Sequence, residues 1–185
     1  MARSEGFGSW HHLAGRFFGA LSPAGPSSED EAWALASLLP GEMALWRRMS
    51  GPDRRHAVDV ARGTVRLLSP SEPPREVVAA ALLHDVGKVE SALGTFARVG
   101  VTLGALAFGR TRLVTWGGKA RRRRRPSLRA RTAVYLTHDC VGAELLEKAG
   151  SDSLTVSWAC DHHLGPARWS VDHRFGAALK QADGD

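Results

Sequence analysis

The chain predicts an all-α fold, and three observations carry that expectation. Apolar residues recur at three- and four-residue spacing through most of the 185 positions, the period of one helix face. Successive segments open on serine or aspartate caps and close on glycine or proline. No strand-like alternation and no hairpin signal interrupts them.

Taken in order, Phe7, Trp10, Ala14, Phe17 and Leu21 fall on one helical face, which Pro23 and Pro26 break. Ser27, Ser28, Glu29 and Asp30 open a second helix bearing Trp33, Leu35, Leu38 and Leu39, with Pro40 as its stop. A short helix from Glu42 to Met49 follows, and residues 1–49 together read as an N-terminal helical arm. The main domain, 50–185, starts at Ser50-Gly51-Pro52-Asp53: a capping serine, a proline in the first turn and an acidic residue three on. Its first helix carries His56, Val58, Val60, Val65, Leu67 and Leu68 as far as Ser69-Pro70. Arg75 to Asp85 reads as a helix apolar nearly all round, through Val77, Val78, Ala80, Ala81, Leu82 and Leu83. Such a helix is central to a fold, and Gly87 ends it. Residues 89–116 keep Leu93, Phe96, Val99, Leu103 and Leu106 in helical register, and Lys119 to Pro126 is a loop. Ser127 caps a helix through Val134 and Leu136, and the segment from His138 ends at Gly150. Asp152 to His162 and Asp172 to Asp183 are the last two helices.

At 43% apolar and 24% charged, the composition is that of a folded globular chain. Cys140 and Cys160 are too few for a disulfide framework or a Cys-rich zinc site, and read as small buried hydrophobes. No run of 18 uncharged apolar residues exists, so no transmembrane segment is expected. The chain start lacks the apolar core of a secretory signal, which makes a reducing cytoplasm the expected compartment. Arginine outnumbers lysine 21 to 4, a high-GC bacterial bias rather than a chemical signal.

The net charge of +6 is unevenly spread. Residues 98–131 hold eleven of the 25 basic residues and no acidic one, leaving 14 basic against 19 acidic elsewhere. A mildly acidic domain therefore carries one basic insert, which argues for a local anionic partner at Arg121–Arg125 rather than a nucleic-acid-coating surface. A solvated loop is the plainer reading of the same stretch. The uncharged run 99–109, flanked by Arg98 and Arg110, is too short to span a bilayer. With the Phe/Trp periodicity of the arm, it adds peripheral membrane contact as a further reading.

Five of the eight histidines, His56, His84, His138, His162 and His163, lie at helix ends or beside apolar residues. One imidazole buried alone is usually a hydrogen-bonded core residue, whereas five with carboxylates at Asp85 and Asp183 point to a metal. The sharpest piece is Leu82-Leu83-His84-Asp85-Val86-Gly87-Lys88. Adjacent side chains on a regular helix diverge by about 100°, so His84 and Asp85 converge on one ion only at a helix end. The doublet alone says little. Eight His and ten Asp predict roughly 0.4 such pairs by chance, and His138-Asp139 is a rival.

The ordered set of His56, the doublet His84-Asp85 and Asp183 resembles the HD-domain superfamily of metal-dependent phosphohydrolases. His84-Asp85-Val86-Gly87-Lys88 is similar to that family's His-Asp-Ile-Gly-Lys variant, with Val for Ile. His138 and the pair His162-His163 look like the further histidines of its two-metal members. The resemblance spans about residues 50–185 and implies an all-α HD-domain helical bundle. It implies that His56, His84, Asp85 and Asp183 hold one divalent transition metal, and that Asp85 bridges to a second on His138, His162 and His163. Ligands of this mixed type suit Fe, Mn, Zn, Co or Ni. The implied reaction is hydrolysis of a nucleotide or other small phosphoester by a metal-bound hydroxide, with Asp85 and Lys88 as catalytic residues and Lys88 on a phosphate oxygen. Leu164-Gly165-Pro166 after the His pair departs from the Gly-Tyr-Pro signature of the cyclic-dinucleotide branch. The alternative class is a non-catalytic HD-like module that binds metal or docks an anion. Asp59, Asp139 and Asp161 stand either as partners of the imidazoles or as helix-surface carboxylates, and Trp158 and Trp169 either as core or as the lining of a nucleobase pocket.

Overall fold

The computed structural model describes residues 24–91 and 127–184 and, between them, positions 93, 97, 101, 114 and 115. The expected helix at 7–21, the greater part of that at 89–116, and the loop Lys119–Pro126 with Arg121–Arg125 lie outside the described residues. The elements are α1 (Ser28–Ala36), α2 (Pro40–Trp46), α3 (Gly51–Leu68), α4 (Arg75–Leu83) and α5 (Lys88–Ser91). They continue as α6 (Leu128–Leu136), α7 (His138–Lys148), α8 (Ser153–Asp161), a 3-10 turn at Pro166–Arg168 and α9 (His173–Asp183). The described residues are all-helical, without a strand. None of their helices is long and apolar enough to cross a membrane.

Local chemistry sets the starts. The hydroxyls of Ser27, Ser50 and Ser127 accept the backbone N–H groups of Asp30 (3.1 Å), Asp53 (3.3 Å) and Ala130 (3.3 Å). Asp172 accepts from Arg174 N–H at 2.7 Å. The boundary between the first two helices differs from expectation. Pro40 opens α2 rather than stopping α1, which ends at Ala36, because a proline at the first helical position gives up no needed hydrogen bond. The Glu42 carboxylate then caps that helix by accepting Leu39 N–H at 2.7 Å.

α3 packs between α9 and α4, and α4 also lies against α8, which pairs with α7. α5 and α6 pack together beside α7. Every residue of α4 from Val77 to Leu83 is buried, as its all-round apolar pattern requires. Leu38, Leu45, Trp46 and Met49 join the same buried cluster as Val58, Leu83, Leu146 and Leu179, so residues 24–49 share the core with the helices that follow. Fully buried Glu42 is anchored by Arg75 at 2.8 Å, and Arg75 reaches on to Asp152 at the start of α8.

α4 stops at Leu83, two residues earlier than its pattern suggests, and the chain turns through His84 to Gly87. Gly87 serves here through its size, not through a left-handed backbone. A Cβ on it would lie 1.9 Å from the His138 carbonyl oxygen and 2.6 Å from Gly142 nitrogen. The turn and the first turn of α7 thus meet backbone to backbone, which sets His138 beside Asp85. Gly87→Ala must push them apart, at a cost expected at or above the about 1–3 kcal/mol typical of overpacking. Gly165→Ala, with nothing within 4 Å of its added Cβ, should stay within about 0.5 kcal/mol of the parent. Chemical denaturation of both variants checks this, and equal midpoints would remove the steric role of Gly87.

Candidate metal centre

The candidate ligands come from one helix interior and several helix ends that face each other. His56 projects from α3, while His84 and Asp85 occupy the turn after α4. His138 is the first residue of α7, His162 caps the C-terminus of α8 with His163 next to it, and Asp183 ends α9. His84, Asp85, His138, His162 and Asp183 are buried, whereas His163 is exposed and His56 partly so.

Three imidazoles are oriented in the same way. Nδ1 of His84, His138 and His162 lies 2.9, 2.7 and 2.9 Å from the backbone carbonyl oxygens of Ala81, Tyr135 and Ala159, each three residues earlier. Those carbonyls belong to last helical turns, where acceptors outnumber N–H donors. A carbonyl only accepts, so Nδ1 carries a proton in each ring and Nε2 faces the centre. Asp161 accepts Ser170 N–H at 2.6 Å, and Asp139 accepts Cys140 N–H at 3.0 Å.

The donor atoms form two groups, His56/His84/Asp183 and His138/His162/His163, each with its atoms within 4.8 Å of one another. Asp85 lies between them. Its Oδ2 is 3.5 Å from His84 Nε2, and its Oδ1 is 3.1 Å from His138 Nε2 and 4.0 Å from His162 Nε2. Asp183 Oδ1 is 2.9 Å from His56 Nε2 and 3.7 Å from His84 Nε2. The structure therefore brings together all seven residues singled out from the sequence. Lys88 pairs its ammonium with Asp85 Oδ2 rather than standing apart from the carboxylate.

Burial would raise the Asp85 carboxyl, but Lys88, His84 and His138 together hold it well below the usual carboxylate range. Asp183 is likewise lowered: burial opposes ionisation, and the His56 hydrogen bond with the His84 and His56 charges outweighs it. For His162, burial and the neighbouring His84 and His163 push the imidazole down to about 3. Its Nε2 is buried with no hydrogen-bond partner. A donor atom held in this way, neutral and unpartnered beside a carboxylate, is suited to a cation.

Sequence reasoning missed two neighbours. The Tyr135 ring stacks on His138 (5.9 Å, 28°), one helical turn before it, and Lys180 Nζ donates to the His162 carbonyl at 2.7 Å, one turn before Asp183. Helical spacing from a candidate ligand was the available signal in both cases. Trp158 is buried edge-on to Trp169 (5.6 Å), whose indole N–H donates to Leu164 carbonyl at 3.0 Å and whose ring lies against Gly176. Trp158 belongs to the core cluster, and Trp169, partly buried, packs against it.

The shifts fix the sign of a pH effect on the chelator-stripped protein. Unfolded, His162 takes up a proton near pH 6.5, whereas folded it does so only near 3, so its contribution is complete above that upper value. Stability is lost as pH falls across this window, and the lowered Asp85 and Asp183 add to the loss below about pH 4. The thermal midpoint should therefore drop steadily from pH 6.5 to 3.5, and a midpoint flat across that range would contradict the buried neutral His162.

Comparison with protein-family models, with curated proteins and with solved structures finds no match to this chain.

Proposed function

We propose that this protein is an HD-type metal-dependent phosphohydrolase acting on a nucleotide or another small phosphoester. One observation carries the reading: two histidine-rich donor groups, each with two buried members, lie side by side with one carboxylate, Asp85, in reach of both. The order His56, His84-Asp85, His138, His162-His163, Asp183 supports it, because it resembles the ligand order of that superfamily. The unpartnered Nε2 of His162 and the inward Nε2 atoms of His84 and His138 fit a transition-metal ligand set.

In this reading His56, His84 and Asp183 hold one divalent ion, His138, His162 and His163 hold another, and Asp85 is shared. Fe, Mn, Zn, Co or Ni suits the donors. Such ions supply Lewis acidity toward phosphoryl oxygens and a hydroxide nucleophile at neutral pH. The chain's own contribution is orientation and charge. The carbonyls of Ala81, Tyr135 and Ala159 fix three rings, which removes reorganisation from binding. Lys88, partly exposed at the edge of the cluster, can exchange Asp85 for a substrate phosphate oxygen. His56 and His163 are the least buried members of the two groups. The basic insert contains no His, Asp, Glu or Cys, so Arg121–Arg125 contributes charge toward an anionic partner, such as substrate or a membrane surface, and not a ligand. The cytoplasm is the compartment that fits two free cysteines.

Elemental analysis of the purified chain should find up to two ions. Asp85→Ala should lower the occupancy of both, while Asp139→Ala should keep both and reduce turnover only modestly. Loss of metal from Asp139→Ala with Asp85→Ala tolerated would mean the second doublet is the ligand. Lys88→Met should retain metal and lose roughly 100-fold or more in kcat on a generic phosphodiester or phosphomonoester. Folded protein that takes up no transition metal and turns over no phosphoester would instead favour the non-catalytic module.

A further inference from the structure

His162 and His163 are neighbours in the chain, yet both belong to one donor group. Adjacent side chains on a regular helix diverge by about 100°, and His162 still has helical backbone angles, φ −58° and ψ −23°. The two rings nonetheless lie 3.9 Å apart with 43° between their planes. His162 is fixed through Nδ1 on the Ala159 carbonyl, so the convergence depends on the peptide unit that joins the pair.

The turn around that peptide unit is held at its carbonyls. Leu164 N–H donates to the Asp161 carbonyl at 2.7 Å, and the Trp169 indole N–H donates to the Leu164 carbonyl at 3.0 Å. Between these, the Lys180 ammonium donates to the His162 carbonyl at 2.7 Å. That oxygen belongs to the peptide unit between the two histidines. It also lies at the C-terminus of α8, where carbonyls lack helical N–H donors and the helix dipole favours a cation. Lys180 itself is partly buried and comes from α9, one turn before Asp183.

We propose that Lys180 is a positioning residue for the His162–His163 pair. By holding the peptide plane between them, it keeps both rings turned to one centre and sets the ion affinity of the His138/His162/His163 group without supplying a donor atom. Rotation of that plane changes ψ of His162 and φ of His163 together, so releasing the carbonyl swings His163 away from the anchored His162. The effect on an ion rests on the hydrolase reading of the group as ligands; the effect on the rings does not.

The test compares the full chain with Lys180→Met, which keeps an apolar stem and removes the donor, and Lys180→Arg, which keeps a donor. Cys140 is exposed where a small buried hydrophobe was expected, so every variant carries Cys140→Ser to remove a competing thiolate. In chelator-stripped protein, the nuclear Overhauser contact between the His162 and His163 rings should be lost in Lys180→Met and restored in Lys180→Arg. The His84–His162 contact should persist in both. Titration with Co2+, followed by visible absorption, reads the ions, with His163→Ala and His56→Ala assigning each step to its group. Lys180→Met should weaken the step that His163→Ala abolishes by roughly 10-fold and move the other far less. Rings still in contact in Lys180→Met, or both steps weakened alike with a lower thermal midpoint, would overturn the proposal. A parent chain that takes up no cobalt defeats the hydrolase reading, while the ring contact still decides the role of Lys180.

Discussion

The stop of α4 at Leu83 is the constraint on which the centre depends. α4 is buried on all sides, so a polar pair can enter the core only where the helix ceases to be regular. From there the chain winds more tightly, with Val86 N–H donating to the Leu83 carbonyl at 3.0 Å and Lys88 N–H to the Asp85 carbonyl at 3.0 Å. Fully buried Val86 anchors the turn, while Gly87 lets the backbone of α7 approach. Asp85 consequently presents one oxygen toward His84 and the other toward His138. A helix that continued to Asp85 would have sent these side chains to different faces.

Burying so many polar groups is unfavourable unless each finds a partner. The structure meets that requirement mostly with main-chain atoms: three imidazole Nδ1–H groups go to carbonyls one turn back, and Lys88 offsets the charge on Asp85. Among the described residues of the centre, His162 Nε2 is buried without a hydrogen-bond partner. A buried polar atom left unpaired costs about 1–3 kcal/mol. The cost is intelligible if the atom is kept for a ligand, which is the sense in which it supports the reading above.

Much of this was legible because it is local. The Ser27, Ser50 and Ser127 caps are written within four residues, and the all-round apolar run of α4 announces its central place. Pro40 was ambiguous, since proline suits both the residue after one helix and the first position of the next. What decided it is the Glu42 carboxylate reaching back to Leu39, together with its contact to Arg75, 33 residues away. The gathering of the seven candidate ligands followed from their types and order. The atoms that orient the rings did not, because a backbone carbonyl has no letter of its own, and Asp139 and Asp161 were conspicuous only by adjacency. Gly87 was read as a helix end, whereas its requirement comes from α7, more than fifty residues away.

The two donor groups are mechanically joined as well as bridged by Asp85. α9 places Asp183 in one group, and one turn earlier Lys180 holds the carbonyl of His162, a member of the other. α7 enters through its contact with the Gly87 turn, so a shift of α7 moves His138 relative to Asp85. The rings form a continuous series, His56 to His84 at 5.7 Å, His84 to His162 at 5.3 Å and His162 to His163 at 3.9 Å. The His84–His162 contact and Asp85 are where the two groups touch. Helices supplied from distant parts of the chain would otherwise drift independently. Their coupling through Asp85, Lys180 and the Gly87 turn makes the seven side chains a single preorganised unit rather than two adjacent sites.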